Sequence, residues 1–199
     1  MTYTAPLPER DDLARLISEP GSFLGAGNAT TRRIAIAASL NHPELHARVA
    51  AMLETDPDAA VRRECAEVLG LSGAAEPAQL EAALADEAAE VREAAATALG
   101  EVSSETSVPA LIDHARDAAE DKLVREAAVA ALGAIGDQAA LPTLLELITN
   151  GPPQIRRRCV ASLSIFDGPE VEGALRTAAT DRNPMVREAA EMVVGRTAT

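Results

Sequence analysis

The chain has 199 residues, 47% of them apolar and 25% charged, a balance that places it among globular domains and argues against disorder. Only 2% are aromatic (Tyr3, Phe23 and Phe166), so the core must be built from Ala, Leu, Val and Ile, which suits closely approaching helices and disfavours a β-sandwich or barrel. A net charge of -13 argues against a face that neutralises phosphates, and no stretch reaches the roughly 20 apolar residues of a membrane span, so neither nucleic acid nor membrane is expected as a partner. In chain order, residues 1–10 carry prolines and acids where a signal peptide needs an apolar run, which points to a cytoplasmic location. Residues 8–18 read as an amphipathic capping helix with Leu13, Leu16 and Ile17 turned inward. A Gly-rich connection over 20–28 follows. The expected organisation is therefore a cap over 1–27 and a repeat array over 28–199, continuous with the cap as one domain.

Five first helices are predicted over 44–55, 78–85, 108–118, 139–149 and 170–179, with Pro43, Pro77, Pro109, Pro142 and Pro169 in their first turns. A proline costs nothing there, because its missing N–H would have had no partner and its φ is already helical. Pro57, Pro152, Pro153 and Pro184 are expected to start second helices in the same way. The second helices carry the repeat itself: VRRECAEVLG at 61–70, VREAAATALG at 91–100, VREAAVAALG at 124–133, IRRRCVASLS at 155–164 and VREAAEMVVG at 186–195, with a weaker copy, TRRIAIAASL, at 31–40. The arginines Arg62, Arg92, Arg125, Arg156 and Arg187 step by 30, 33, 31 and 31 positions, about one helical hairpin per step.

Within a repeat Val61, Cys65 and Leu69 recur at i, i+4 and i+8, so they share one stripe, which is the core face. Asp56, Asp86, Asn150 and Asp181 stand five residues ahead of the Val or Ile position, where a short polar side chain can cap the next helix. The third pair instead holds Asp117 and Asp121 around a small insertion. Gly73, Gly136 and Gly168 are expected as left-handed C-terminal residues, and Gly70, Gly100, Gly133 and Gly195 as points of close helix approach. The repeat arginines are expected to pair with the turn acids as a ladder.

The pattern Val-Arg-x-x-Ala-Ala-x-Ala-Leu-Gly, with Asp ahead of it and Gly-Asp after, resembles the short HEAT-like repeat named after phycobilisome lyases, over residues 28–196. The resemblance implies first helices on the convex side and second helices on the concave side of a solenoid. Some relatives attach or remove bilins, others dock protein partners, and others handle DNA or hold a di-iron centre. The di-iron relatives, deoxyhypusine hydroxylases, carry a His-Glu pair right after the repeat arginine. The corresponding pairs here are Arg63-Glu64, Glu93-Ala94, Glu126-Ala127, Arg157-Arg158 and Glu188-Ala189, without a histidine, so that chemistry is not expected.

His42 and His46 flank Glu44 at a metal-like spacing, but Pro43 sets His42 outside the helix and no third ligand is evident, so a solvated helix N-terminus is expected. His114 is read as a surface residue. The loop 21–27 lacks the Lys-Ser/Thr of a P-loop and follows no strand. Cys65 and Cys159 occupy one repeat position three pairs apart, too far for a bond at about 8–10 Å per layer, and are read as small core groups.

Opposite the core stripe the second helices present Arg63 and Glu67, Glu93 and Thr97, Glu126 and Ala130, Arg157 and Ala161, and Glu188 and Met192, with Arg33 at the matching position of the weaker copy. These form a mixed-charge strip that can bind a protein partner, with Arg63, Arg157 and Arg158 as anchors, because Arg makes bidentate contacts and stacks. The expected molecule is an all-α, right-handed α-α superhelix of the HEAT/armadillo type, with five full helix pairs and an atypical N-terminal pair. Its expected role is that of a noncatalytic scaffold or adaptor without cofactor, whose partner residues are Arg33, Arg63, Glu67, Glu93, Glu126, Arg157, Arg158 and Glu188. The alternatives are a bilin lyase subunit or chromophore chaperone and, further off, a DNA-repair solenoid.

Overall fold

The structure, a computed structural model, describes residues 10–195; the expected first turn of the cap at Pro8 and Glu9, together with Tyr3 and Arg196, lies outside the described residues. Among the described residues there are twelve α-helices and no strand. They are α1 (Arg10–Ser18), α2 (Ala29–Ala38), α3 (His46–Thr55), α4 (Ala59–Ser72), α5 (Pro77–Ala83), α6 (Ala89–Glu101), α7 (Val108–Arg116), α8 (Lys122–Ile135), α9 (Leu141–Asn150), α10 (Pro153–Leu163), α11 (Pro169–Ala178) and α12 (Pro184–Val194). None is long and apolar enough to cross a membrane. The chain divides into two compact units, Met1–Ala98 and Leu99–Thr199, with the boundary inside α6.

Helices of 7 to 14 residues are marginal alone in water, so each survives by burying its apolar stripe against neighbours. In the first unit Val61, Cys65 and Leu69 of α4 are completely buried, as are Val91 and Ala95 of α6. In the second unit Val124, Ala128 and Leu132 of α8 and Cys159 and Leu163 of α10 repeat the arrangement. The i, i+4, i+8 stripe is thus the core face in both units.

Prolines start helices as expected at Pro77, Pro153, Pro169 and Pro184, and Pro109 and Pro142 follow by one residue. Pro43 opens a 3₁₀ turn instead, Pro152 is the residue capping α10, and Pro57 lies two residues ahead of α4. The turn acids also differ from the expected caps. Asp58, not Asp56, caps α4, accepting from the Ala60 and Val61 amides. Asp56, Asp86 and Asp181 sit two residues earlier, each accepting the N–H of the second residue onward at 2.7 to 3.0 Å through Oδ1, which folds the turn and aims the carboxylate at an arginine.

Gly73 and Gly136 take the left-handed conformation at helix C-termini (φ 65 and 73), as their positions require. Gly168 does not: with φ 133 and ψ 154 it precedes α11 as its N-terminal cap. Gly195 is not a point of close approach either, since it follows the last helix with open space around its Cα. Gly100 and Gly133 do serve close approach. A Cβ at Gly133 would lie 2.7 Å from Ser162 Cα, and α8 and α10 meet there. The Ser162 hydroxyl, buried in this contact, donates to the Val129 carbonyl at 2.8 Å.

At the N-terminus α1 buries Leu16 fully, but Leu13 and Ile17 are exposed, contrary to the expected inward set. Leu24, from the connection, supplies the buried apolar group instead. That connection is tied to the first repeats, because Arg48 Nη1 donates to the Gly21 carbonyl at 2.9 Å and Arg32 Nη1 to the Ala26 carbonyl at 2.8 Å.

Candidate functional site

Two adjacent positions on each second helix, separated by about 100° around its axis, do different work. The repeat arginine turns into the inter-helix turn, and the residue after it turns outward onto the strip. Arg32 donates Nε and Nη2 to the two oxygens of Asp56, both at 2.7 Å. Arg62 holds Asp86 at 2.7 and 2.8 Å, and Arg156 holds Asp181 at the same distances. These rungs are the expected ladder of arginines and turn acids, and they are side-on, bidentate and largely buried. The hydrogen bond from arginine holds Asp86 and Asp181 below the usual carboxylate range despite burial; at Asp56 burial is the largest single influence and pushes up, but the Arg32 hydrogen bond, the Asp58 amide and the charges of Arg32 and Arg62 together hold it low.

The strip residues are brought together in short local sets. In the first unit Arg33 Nη2 reaches Glu64 at 3.5 Å on the next second helix, and Arg63 Nε lies 3.1 Å from Glu67 on its own helix. Burial holds Glu67 above its ordinary range, with Arg63 opposing. Glu93 is half-buried. In the second unit Glu126 pairs with Arg158 at 3.9 Å, and Glu188 is exposed. The Nε atoms of Arg33, Arg63 and Arg158 are sealed from solvent yet lack a hydrogen-bond acceptor, so Glu67 sits close to Arg63 without lying on its N–H axis. A buried donor without an acceptor is costly, so these three groups are held there by the packing around them.

Arg157 is different from its neighbours. It makes no ion pair or side-chain hydrogen bond among the described residues, and it lines a cleft of about 290 Å³ with Pro153, Gln154, Asn183 and Met185. Met185 is 56% exposed, and the Asn183 carboxamide is engaged in capping α12. A free guanidinium therefore stands beside an exposed, adaptable apolar side chain at the N-terminal ends of α10 and α12. The pattern read from sequence supplied Arg157 but not the cleft, whose other walls come from the first turns of two helices and the residue that caps one of them.

The remaining candidates have structural partners. His42 Nδ1 lies 3.0 Å from Glu44, and His46 Nε2 lies 3.3 Å from the Leu40 carbonyl. No group of three or more metal-ligating side chains occurs among the described residues. His114 is not a plain surface residue: it is half-buried against Glu120 at 2.9 Å. Cys65 and Cys159 are free and completely buried, and burial pushes both thiols up to about 12. Ellman's reagent at mildly alkaline pH is expected to leave both unmodified in the native protein and to titrate both in denaturant. Rapid native labelling would show that the helices around them open easily.

Residues 76–164 match the family model for HEAT repeats. The fold is that of a HEAT-like helical repeat. Solved structures agree in placing it in the all-α superhelical repeat class. The chain is similar to one from the CpcE–CpcF complex of phycocyanin lyase from Nostoc sp. PCC7120, at 20% identity over 95% of this chain and 79% of that one, with a TM-score of 0.70. It is also similar to human deoxyhypusine hydroxylase, at 22% identity over 91% and 73% with a TM-score of 0.51. Computationally designed armadillo repeat proteins for modular peptide recognition match at 16% identity over 94% of each chain, with a TM-score of 0.54. No curated protein matches the sequence. HEAT-like stacking accounts for the division of labour just described: one arginine position ties layers together, and the next is left free to vary.

Proposed function

We propose that this HEAT-like repeat protein is a noncatalytic adaptor that binds a protein partner along the outward positions of its second helices. The observation that supports this most directly is Arg157, a guanidinium without an acid partner among the described residues, in a cleft that the exposed Met185 also lines. A chain of net charge -13 that leaves this cation unpaired favours an acidic side chain on the partner, beside an apolar one. In the first unit, Arg33, Glu64, Arg63 and Glu67 form the equivalent polar stretch.

The test is a partner pull-down followed by affinity measurement with Arg63, Arg157 and Arg158 each changed to Glu. Since these side chains carry no buried rung, the variants are expected to fold while losing about 10-fold or more in affinity. Undiminished binding of the same partner by the triple variant would rule the strip out. A second reading, a bilin lyase subunit or chromophore chaperone, is suggested by the likeness to the phycocyanin lyase chain. Adding bilin to the pure protein separates the two: a shifted visible spectrum supports the lyase reading, and an unchanged one the adaptor.

A further inference from the structure

The arginine ladder has an incomplete rung. Arg125, at the second position of the repeat in α8, is only 9% exposed, yet among the described residues it has no carboxylate partner. Its Nε donates to the Ala115 carbonyl at 3.2 Å, and this is the side chain's hydrogen bond within the described residues. In the rungs of Arg32, Arg62 and Arg156 the carboxylate comes from 24 or 25 residues further along. Twenty-five residues after Arg125 stands Asn150, exposed at the end of α9. A carboxamide carries no charge, and the Asn150 side chain makes no hydrogen bond to Arg125.

The turn that follows also departs from its counterparts. Asp56, Asp86 and Asp181 are oriented by accepting the N–H two residues on, whereas two residues after Asn150 stands Pro152, which has none. The position that completes the other rungs thus supplies neither the anion nor the hydrogen bond that would aim one. Arg125 Nη1 and Nη2 are not among the side-chain nitrogens sealed from solvent without an acceptor, so the far end of the guanidinium is reachable. With Nε committed to Ala115, the open edge is the Nη1/Nη2 pair, whose parallel N–H groups match the two oxygens of a carboxylate.

We propose that Arg125 is a carboxylate-binding socket, a second site beyond the outward strip, in which an acid from outside the chain completes the rung that Asn150 leaves open. Burial favours occupation, because a largely desolvated guanidinium without a counter-ion gains more from a carboxylate than an exposed one. The geometry selects a planar, bidentate anion held end-on. This inference does not depend on the strip: loss of partner binding by the charge-reversed strip variants would leave Arg125 and its open edge untouched.

The experiment is NMR of the full chain labelled at arginine with ¹⁵N, following Arg125 Nε–Hε during titration with sodium acetate at constant ionic strength, with chloride as control. A parallel titration uses glutamate blocked at both backbone ends. A saturable shift of Arg125 with acetate is expected in wild type and in Asn150→Ala, and its loss in Asn150→Asp, whose own carboxylate fills the socket. Asn150→Asp is also expected to raise Tm by about 2–4 °C. A response to acetate alone supports a small free acid as the natural ligand, and a response to the blocked glutamate as well supports an acidic side chain of a polypeptide. Absence of any saturable Arg125 shift, or an equal shift in Asn150→Asp, would overturn the proposal.

Discussion

Asp181→Asn is expected to lower the unfolding free energy by about 2–4 kcal/mol at neutral pH, and by almost nothing in strong acid. The rung it breaks is a fork of two hydrogen bonds at 2.7 and 2.8 Å to Arg156, whose residue exposure is 4%. Removing the charge leaves that guanidinium with the Gly151 carbonyl as its remaining partner. The pH dependence follows from the direction of the shift. Arg156 holds Asp181 below its ordinary value of 3.8, so the folded state keeps the carboxylate ionised where the unfolded state has begun to bind a proton. The stabilisation is therefore fully present above the ordinary carboxylate range and is lost as pH falls through the lower, folded value. Urea unfolding midpoints measured for wild type and variant from pH 7 downward should diverge at neutral pH and converge below about pH 3. A constant gap at all pH values would mean that the asparagine acts through the turn hydrogen bond to the Asn183 amide and not through the ion pair. Asp86→Asn, opposite Arg62, is expected to behave in the same way.

The features legible in the sequence are those fixed by periodicity. Val61, Cys65 and Leu69 and their counterparts announce the core because a helical stripe has only one spacing, and the first-turn prolines announce helix starts because few other places tolerate them. The ladder was legible as a pairing of types but not in strength, since sequence does not say that Arg156 and Asp181 are covered by neighbouring turns. Asp56 was misread as a cap because Asp58, two residues on, competes for the same role, and only the backbone path decides between them. Leu13 and Ile17 fit an inward face at the level of pattern, yet among the described residues α1 packs chiefly on α2, and Leu16 with Leu24 supplies the buried groups there. Of the strip, the residue set was readable and its internal pairing was not: Arg33 reaches Glu64 on another helix, a contact set by how two helices lie side by side. The gap at Arg125 was visible as Asn150 standing where other repeats have Asp, but its meaning depends on the arginine being buried.

The same substitution, Gly→Ala, is expected to have opposite signs at two helical glycines of the second unit. At Gly173, on the exposed face of α11, a Cβ would meet nothing within 4 Å. Alanine there removes backbone entropy from the unfolded chain and should stabilise by about 0.5–1 kcal/mol. At Gly133 the added carbon would lie 2.6 Å from Ser162 Cβ and 2.7 Å from Ser162 Cα. The Cα belongs to the backbone, so no rotamer change clears it, and α10 must move away from α8. That displacement loosens contacts around Leu132 and Leu163, both fully buried, and strains the Ser162 bond to the Val129 carbonyl. Overpacking of this kind costs about 1–3 kcal/mol, and the lost hydrogen bond about 1 more, against a propensity gain of at most about 1. A net loss of about 2 kcal/mol is expected. Thermal or urea unfolding of the two single variants and their double decides it. A stabilised Gly133→Ala protein would mean that α8 and α10 have room to separate freely, and the close approach would then not be what the glycine is for. Because the two sites lie on different helices and a Cβ at Gly173 would touch nothing, the double variant should show the sum of the single effects.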